Sequence, residues 1–83
     1  MEFYYLRCRS VTFARRASRL LEGVNIKAPV VRLPQKLTDT GCGYALKIRQ
    51  RNIDDALTRM RKYGLEVTNI YGKTGDTYFE VAL

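Results

Sequence analysis

A faint internal repeat of about 40 residues limits the folds that this 83-residue chain can adopt. The segment "YYLRCR" at 4–9 aligns with "YALKIR" at 44–49, and "GVNI" at 23–26 aligns with "GLEV" at 64–67. In each half, an alternating run typical of a strand leads into a segment with helical periodicity and then into a second extended run. The repeat therefore predicts two strand–helix–strand units that share one sheet.

The elements follow from turn and capping residues. Ser10 and Asn52 are the predicted N-caps of the two helices, and Pro29 places the second strand at a sheet edge. Strands are predicted at 3–9, 26–33, 44–49 and 65–71, and helices at 10–23 and 52–64, followed by the hairpin turn "GKTGD" and a short fifth strand. The predicted core residues of the helices are Phe13, Ala17, Leu20, Leu21 and Val24 in the first, and Ile53, Ala56, Leu57, Met60 and Tyr63 in the second.

Interleaving the two units gives a single α+β domain over residues 1–83. The predicted fold is a ferredoxin-like βαββαβ sandwich whose four-stranded antiparallel sheet has the order 4-1-3-2, with both helices on one face and the short fifth strand added. This topology brings the end of the first strand, the start of the first helix and the loop before the third strand to one edge.

Composition excludes several kinds of chemistry. The chain has two cysteines and no histidine, too few ligands for a usual zinc site and no partner for Cys–His or Ser–His catalysis. The "GKTGD" segment lacks the first glycine of a phosphate-binding loop, which would fall at Val67. The sequence therefore indicates no cofactor, and it favours a protein that binds over an enzyme of these classes.

The net charge of +7 favours an anionic partner. No apolar run is long enough to span a membrane, and the N-terminal segment "MEFYYLRCRS" does not resemble a signal peptide. We expect a reducing cytoplasmic location, where cysteines stay as thiols.

Cys42 stands between Gly41 and Gly43 in a polar loop, and two interpretations are open. It is either a small residue at a tight junction between loop and strand or an accessible thiol. Flanking glycines expose a sulfur atom, and a thiolate is favoured by a helix N-terminus and nearby cations. The topology offers Ser10 at the first helix start, with the cations Arg9, Lys36 and Lys47.

Cys8 lies on the strand face that the helices should cover, which favours a buried core residue. The alternative is a resolving thiol that forms a transient disulfide with Cys42, because both cysteines belong to the same predicted edge.

The helix-free face of the sheet offers a second functional hypothesis. Aromatic and basic side chains alternate there in a manner suited to RNA or another anionic ligand. Strand 44–49 also partly echoes the RNA-recognition-motif octamer through Gly43, Tyr44 and Ala45, but Cys42 replaces its leading basic residue. A solvated basic face and a homodimer that covers the face are the alternatives. The predicted surface comprises Phe3, Tyr5, Arg7, Arg32, Lys47 and Arg49, with Arg9 on the same strand face.

The whole plan resembles a family of small bacterial proteins described as selenium/sulfur carrier-like. The segments that carry the resemblance are "SVTFARRASRLLEG", "RLPQKLTDTGCGYAL" and "NIDDALTRMRKYGLEVTNIY", within residues 3 to 71. Members often show arginine after the loop proline, where this chain has Gln35 followed by Lys36.

The resemblance implies a carrier whose thiol, Cys42, holds sulfur or selenium as a persulfide or selenosulfide and passes it to a partner enzyme. It implies donor and acceptor proteins as partners, and the basic charge of the chain suggests that their docking surfaces are acidic. A non-catalytic interaction subunit remains the third hypothesis.

Overall fold

The computed structural model describes residues 2–37 and 43–82. These residues form the α+β domain that the sequence predicts, with two helices and a five-stranded antiparallel sheet. The elements are β1 (Phe3–Cys8), α1 (Val11–Glu22), β2 (Val30–Arg32), β3 (Tyr44–Arg49), α2 (Ile53–Lys62), β4 (Val67–Thr74) and β5 (Thr77–Glu80). Single 3-10 turns occur at Gln35–Leu37 and Gln50–Asn52. Within the described ranges, no helix is long and apolar enough to cross a membrane.

The sheet order is β2-β3-β1-β4-β5, and all neighbouring strands are antiparallel. The predicted order 4-1-3-2 recurs in the first four strands when it is read from the other edge. The sheet differs from the four-stranded ferredoxin-like plan because β4 continues through Thr74 and pairs with β5. The predicted "GKTGD" turn is therefore shorter, with Gly75 and Asp76 between the paired Thr74 and Thr77.

Side-chain alternation gives the sheet two different faces. We call the face covered by α1 and α2 the helix face, and the opposite one the open face. The helix face buries Leu6, Cys8, Leu46 and Ile48 against the apolar residues of both helices. A smaller cluster on the open face is built on Tyr5, Leu33, Ala45 and Tyr71.

Helix α1 begins as predicted. The Ser10 side-chain oxygen accepts a hydrogen bond from the backbone N–H of Phe13 at 3.1 Å and caps the first turn. Ala14, Ala17 and Leu21 are buried beneath the helix. Val24 was predicted in the core but is 37% exposed, because the helix ends before it at Gly23.

Helix α2 differs from the prediction at both ends. Asn52 precedes the helix, but its side chain makes no capping hydrogen bond, since Asn52 lies in a 3-10 turn and not in extended backbone. Tyr63 was predicted in the core but is 61% exposed, because it follows the last helical residue and leaves the apolar stripe. Asp54 and Asp55 lie in the first turn, where they favour the positive end of the helix.

Strand β2 is shorter than predicted and begins directly after Pro29. Its predicted edge position is confirmed, since β2 pairs only with β3 among the described strands. The Pro29 carbonyl still accepts a hydrogen bond from the backbone N–H of Lys47 at 3.0 Å, which extends the pairing on that side.

Replacement by alanine should have different effects on stability at the two glycines that follow helices. Gly64 has a φ of +69°, and a side chain there would meet no atom within 4 Å, so the cost of Gly64→Ala is backbone strain of about 1 kcal/mol. Gly23 has a φ of −64°, so Gly23→Ala should be neutral or stabilise the protein by up to about 1 kcal/mol. Urea unfolding of both variants measures the difference, and equal effects would contradict this explanation.

Candidate functional site

The loop predicted to carry the reactive thiol lies partly outside the described residues. Gly41 and Cys42 belong to the undescribed segment, so their predicted roles remain predictions. The described residues on either side define where the segment is attached. The Gly43 carbonyl accepts a hydrogen bond from the backbone N–H of Leu33 at 2.7 Å, which continues the pairing of β2 with β3.

Gly43 leads directly into β3 at the edge of the sheet where β1 ends and α1 begins. Arg7 in β1 lies opposite Ala45, and Arg32 in β2 lies opposite Tyr44. The capping residue Ser10 follows β1 by two residues. The sequence predicted that the end of the first strand, the start of the first helix and the residues before β3 meet at one edge. Among the residues before β3, Gly43 lies at this edge.

Three arginines lie against aromatic rings at this edge, and we call them the arginine edge. The guanidinium carbon atoms of Arg9 and Arg16 lie 4.9 Å and 5.9 Å from the centre of the Phe13 ring. The corresponding distance from Arg32 to the Tyr44 ring is 5.4 Å. The first turn of α1 contains no acidic residue, so positive charge accumulates at the end of the sheet beside Gly43.

For two of these arginines, the sequence prediction of the sheet face was wrong. Arg9 was expected on the open face, but β1 ends at Cys8, and the Arg9 side chain lies instead on Phe13 of α1. Arg32 was also expected there, but it lies opposite Tyr44, whose ring packs against the helix-face core. Arg9 is nevertheless beside the start of α1, where the thiolate hypothesis requires a cation.

Lys36 was expected to lie near the thiol together with Arg9. Lys36 is exposed and belongs to the Gln35–Leu37 turn. Leu37 packs against the open-face cluster, and its carbonyl accepts a hydrogen bond from Arg7 Nη1 at 3.3 Å. The turn thus lies against the open face, whereas Arg9 lies on α1. The sequence contains no periodic signal for this short covering turn.

Cys8 is a core residue, as its strand position favours. It is 1% exposed, and its Sγ donates a long hydrogen bond of 3.6 Å to the carbonyl of Leu6. A resolving role would require the end of β1 to open, because reagents and other thiols cannot reach a sulfur buried in this way.

The open face brings together five of the six residues predicted for nucleic-acid binding: Phe3, Tyr5, Arg7, Lys47 and Arg49. Lys47 Nζ lies 4.3 Å from the centre of the Phe3 ring, and the Arg49 guanidinium lies 5.1 Å from it. Arg7 also contacts Asn69 Oδ1 at 3.4 Å. Tyr5 is 7% exposed and forms part of the floor of this face.

The sequence missed two members of the open face. Lys73 was assigned to a turn, and Tyr78 was assigned to the short fifth strand but not to this face; the two lie opposite each other on β4 and β5. Lys73 Nζ is 5.1 Å from the Tyr78 ring, which meets Tyr5 edge to face at 5.3 Å. Burial raises the pKa of the Tyr5 hydroxyl, Tyr78 adds to the rise, and Lys73 opposes it.

Tyr44 contradicts the echo of the RNA-recognition-motif octamer. The motif places its aromatic residues on the open sheet face, where they stack on bases. Tyr44 instead packs against the helix-face core beside Arg32. Any nucleic-acid binding by the open face must therefore use a different set of aromatic residues. In the described residues, no group of three Cys, Asp or Glu side chains converges to hold a metal ion.

Comparison with models of protein families matches residues 3–72 to the family described as "Putative Se/S carrier protein-like". This range includes Cys42 and ends within β4, so that β5 lies beyond it. The resemblance drawn from the sequence is thereby confirmed. Searches of curated proteins and of solved structures found no match.

Proposed function

Because this chain belongs to the family described as "Putative Se/S carrier protein-like", we propose that it carries sulfur or selenium on the Cys42 thiol and relays it to a partner enzyme. The burial of Cys8 is the observation that supports this choice of residue. The chain has two cysteines, and a carrier thiol must be accessible to donor and acceptor. Cys8 is sealed in the core at 1% exposure, which leaves Cys42 for the role.

The chemistry requires a thiolate and little else. The Cys42 thiolate attacks the outer sulfur of a donor persulfide and forms a new S–S bond. The S–S bond of the donor breaks, the donor leaves as a thiolate, and the outer sulfur keeps its proton, so no external oxidant or reductant is consumed. An acceptor thiolate repeats the exchange on the Cys42 persulfide. A donor carrying selenium in the outer position would leave a selenosulfide on Cys42 by the same steps.

The surroundings of Gly43 support a stabilised thiolate on the neighbouring residue. The positive end of α1 and the arginine edge both favour negative charge near the start of β3. Phe13 and Tyr44 hold the guanidinium groups by cation–π contacts, so this charge is fixed in place. The glycines on both sides of Cys42 add no side chain that would shield the sulfur.

Partners with acidic docking surfaces fit this charge distribution. Donor and acceptor proteins that carry carboxylates near their own reactive groups would be attracted to the arginine edge, which increases the rate of encounter. The cytoplasm is the compartment we propose, because its reducing conditions keep the carrier thiol available between loads.

Persulfide loading tests the proposal. The purified protein is incubated with glutathione persulfide, and intact-protein mass spectrometry counts the sulfur atoms added. We expect the unmodified chain and Cys8→Ala to gain one sulfur, whereas Cys42→Ser gains none. Cys8→Ala is the matched control, because it removes the other thiol and keeps a small apolar residue in the core.

Loading of Cys42→Ser, or failure of the folded Cys8→Ala variant to load, would refute the assignment of Cys42. Isolation of the protein from its own host, followed by the same mass measurement, identifies whether the cargo is sulfur or selenium.

A further inference from the structure

Three cations of the open face form no ion pair with a described carboxylate, and Glu80 on the same face accepts a hydrogen bond from Asn69 Nδ2 at 3.3 Å. Lys47 and Arg49 lie on β3, and Lys73 lies on β4. Over residues 2–37 and 43–82, the ion pair found is Asp55–Arg59 on α2, at the other side of the domain. Because unpaired cations on a surface attract polyanions, this face is suited to a ligand with repeated negative charges.

Aromatic rings are interleaved with these cations. Phe3 and Tyr78 are half-buried, so that each keeps part of its surface exposed. Each ring has a cation within about 5 Å of its centre: Lys47 and Arg49 at Phe3, and Lys73 at Tyr78. Bases stack on exposed rings while neighbouring cations bind the phosphates, and this combination typifies proteins that bind single strands.

A recess beside the Phe3 ring adds shape to the surface. A cavity of about 190 Å³ is lined by Glu2, Phe3, Tyr5, Lys73 and Gly75. Gly75 has no side chain to fill the space, and Tyr5 forms the floor. A planar ring can therefore enter beside Phe3 without displacing a side chain of the turn.

We propose that the open face binds single-stranded nucleic acid, with bases on Phe3 and Tyr78 and phosphates on Lys47, Arg49 and Lys73. A second copy of this chain is a poor occupant, because its own open face would present the same cations. An acidic protein would satisfy the charge but would leave the rings and the recess unused. The inference does not depend on Cys42 or on the carrier proposal, since none of the five residues that it assigns to bases and phosphates belongs to the loop that carries Cys42.

Fluorescence anisotropy with a labelled oligouridine of roughly eight nucleotides tests the proposal. We expect affinity to fall as salt rises, with a slope of log K against log salt that shrinks by roughly 0.7 for each cation removed. The double variant Lys47→Ala/Arg49→Ala should lose most of this dependence. Its matched control is Arg15→Ala/Lys62→Ala, which removes the same charge from exposed positions on the two helices and should retain binding.

The aromatic contribution is tested separately. Phe3→Leu keeps an apolar side chain but removes the stacking ring, and we expect affinity to fall about fivefold or more. Glu2→Gln removes the carboxylate beside the recess and should raise affinity. Cys42→Ser should bind as the unmodified chain does, which keeps this test independent of persulfide loading.

Three results would overturn the inference. One is the absence of binding at about 50 mM salt, where phosphate contacts are strong. Another is equal loss of binding in the control double variant, which would indicate general charge rather than this face. The third is equal affinity for polyglutamate with no effect of Phe3→Leu, which would identify the face as a docking site for acidic protein.

Discussion

Replacing Leu46 by alanine should lower the free energy of unfolding by about 3 kcal/mol. Leu46 is completely buried at the centre of the helix face, and it pairs with Leu6 on one side and Val30 on the other. The truncated side chain leaves a cavity that the rigid sheet cannot close, since three strands fix its position. The loss is large because a domain of this length is stabilised by only about 4–12 kcal/mol.

Thermal unfolding followed by circular dichroism measures this effect. For a domain of this size, the expected loss corresponds to a fall in melting temperature of about 12–24 °C. Val24→Ala is the control: it also removes methyl groups, but Val24 is 37% exposed after the end of α1, and its effect should stay within about 0.5 kcal/mol. Similar losses in both variants would show that Leu46 does not lie at the centre of the core.

The arrangement of the helices and strands could be predicted because it follows from local periodicity. Strand β3 has its predicted bounds, since "YALKIR" is followed directly by the 3-10 turn that precedes α2. Ser10 caps α1 because its side chain competes well for the first N–H groups. The internal repeat then fixes how the first four strands are interleaved.

Side chains were assigned to the wrong sheet face where the alternation of apolar and polar residues does not decide between the two faces. Val30 and Val31 are both apolar, so the sequence does not say which of them faces the helices, and Arg32 was assigned to the wrong face. Arg9 was assigned by extending the alternation one residue beyond the end of β1. In both cases the pairing partner or the following helix decides the direction of the side chain, and neither is encoded within the strand itself.

The candidate site could be predicted less completely than the arrangement of helices and strands. The absence of histidine and the count of two cysteines limited the chemistry, and strand position identified Cys8 as the buried one. The role of Cys42 as a sulfur or selenium carrier depends on the family, because a thiol between two glycines is compatible with many functions. The position of the Gln35–Leu37 turn on the open face depends on tertiary contacts between distant segments. The pairing of Lys73 with Tyr78 was missed because the hairpin turn between β4 and β5 is shorter than predicted.

Native-state protection of Cys8 should slow its reaction with a disulfide reagent such as Ellman's reagent by about a thousandfold or more, relative to the unfolded chain. The Cys42→Ser variant leaves Cys8 as the single thiol for this measurement. Its sulfur lies in the core between β1 and the helices, so reaction requires an opening that exposes the end of β1. The rate in concentrated urea gives the reference for the accessible thiol.

A cysteine introduced at an exposed helix position, Thr58→Cys in the Cys42→Ser background, provides the native control. It should react nearly as fast as an unfolded thiol.

The comparison of the two reaction rates decides between two relay mechanisms. If Cys8 reacts as quickly as the cysteine at position 58, Cys8 can resolve a Cys42 persulfide as an internal disulfide and release the cargo as sulfide. If Cys8 is protected as expected, that route is closed on the timescale of transfer. The cargo then leaves Cys42 only by attack from a partner thiolate, which makes docking of the acceptor the step that controls delivery.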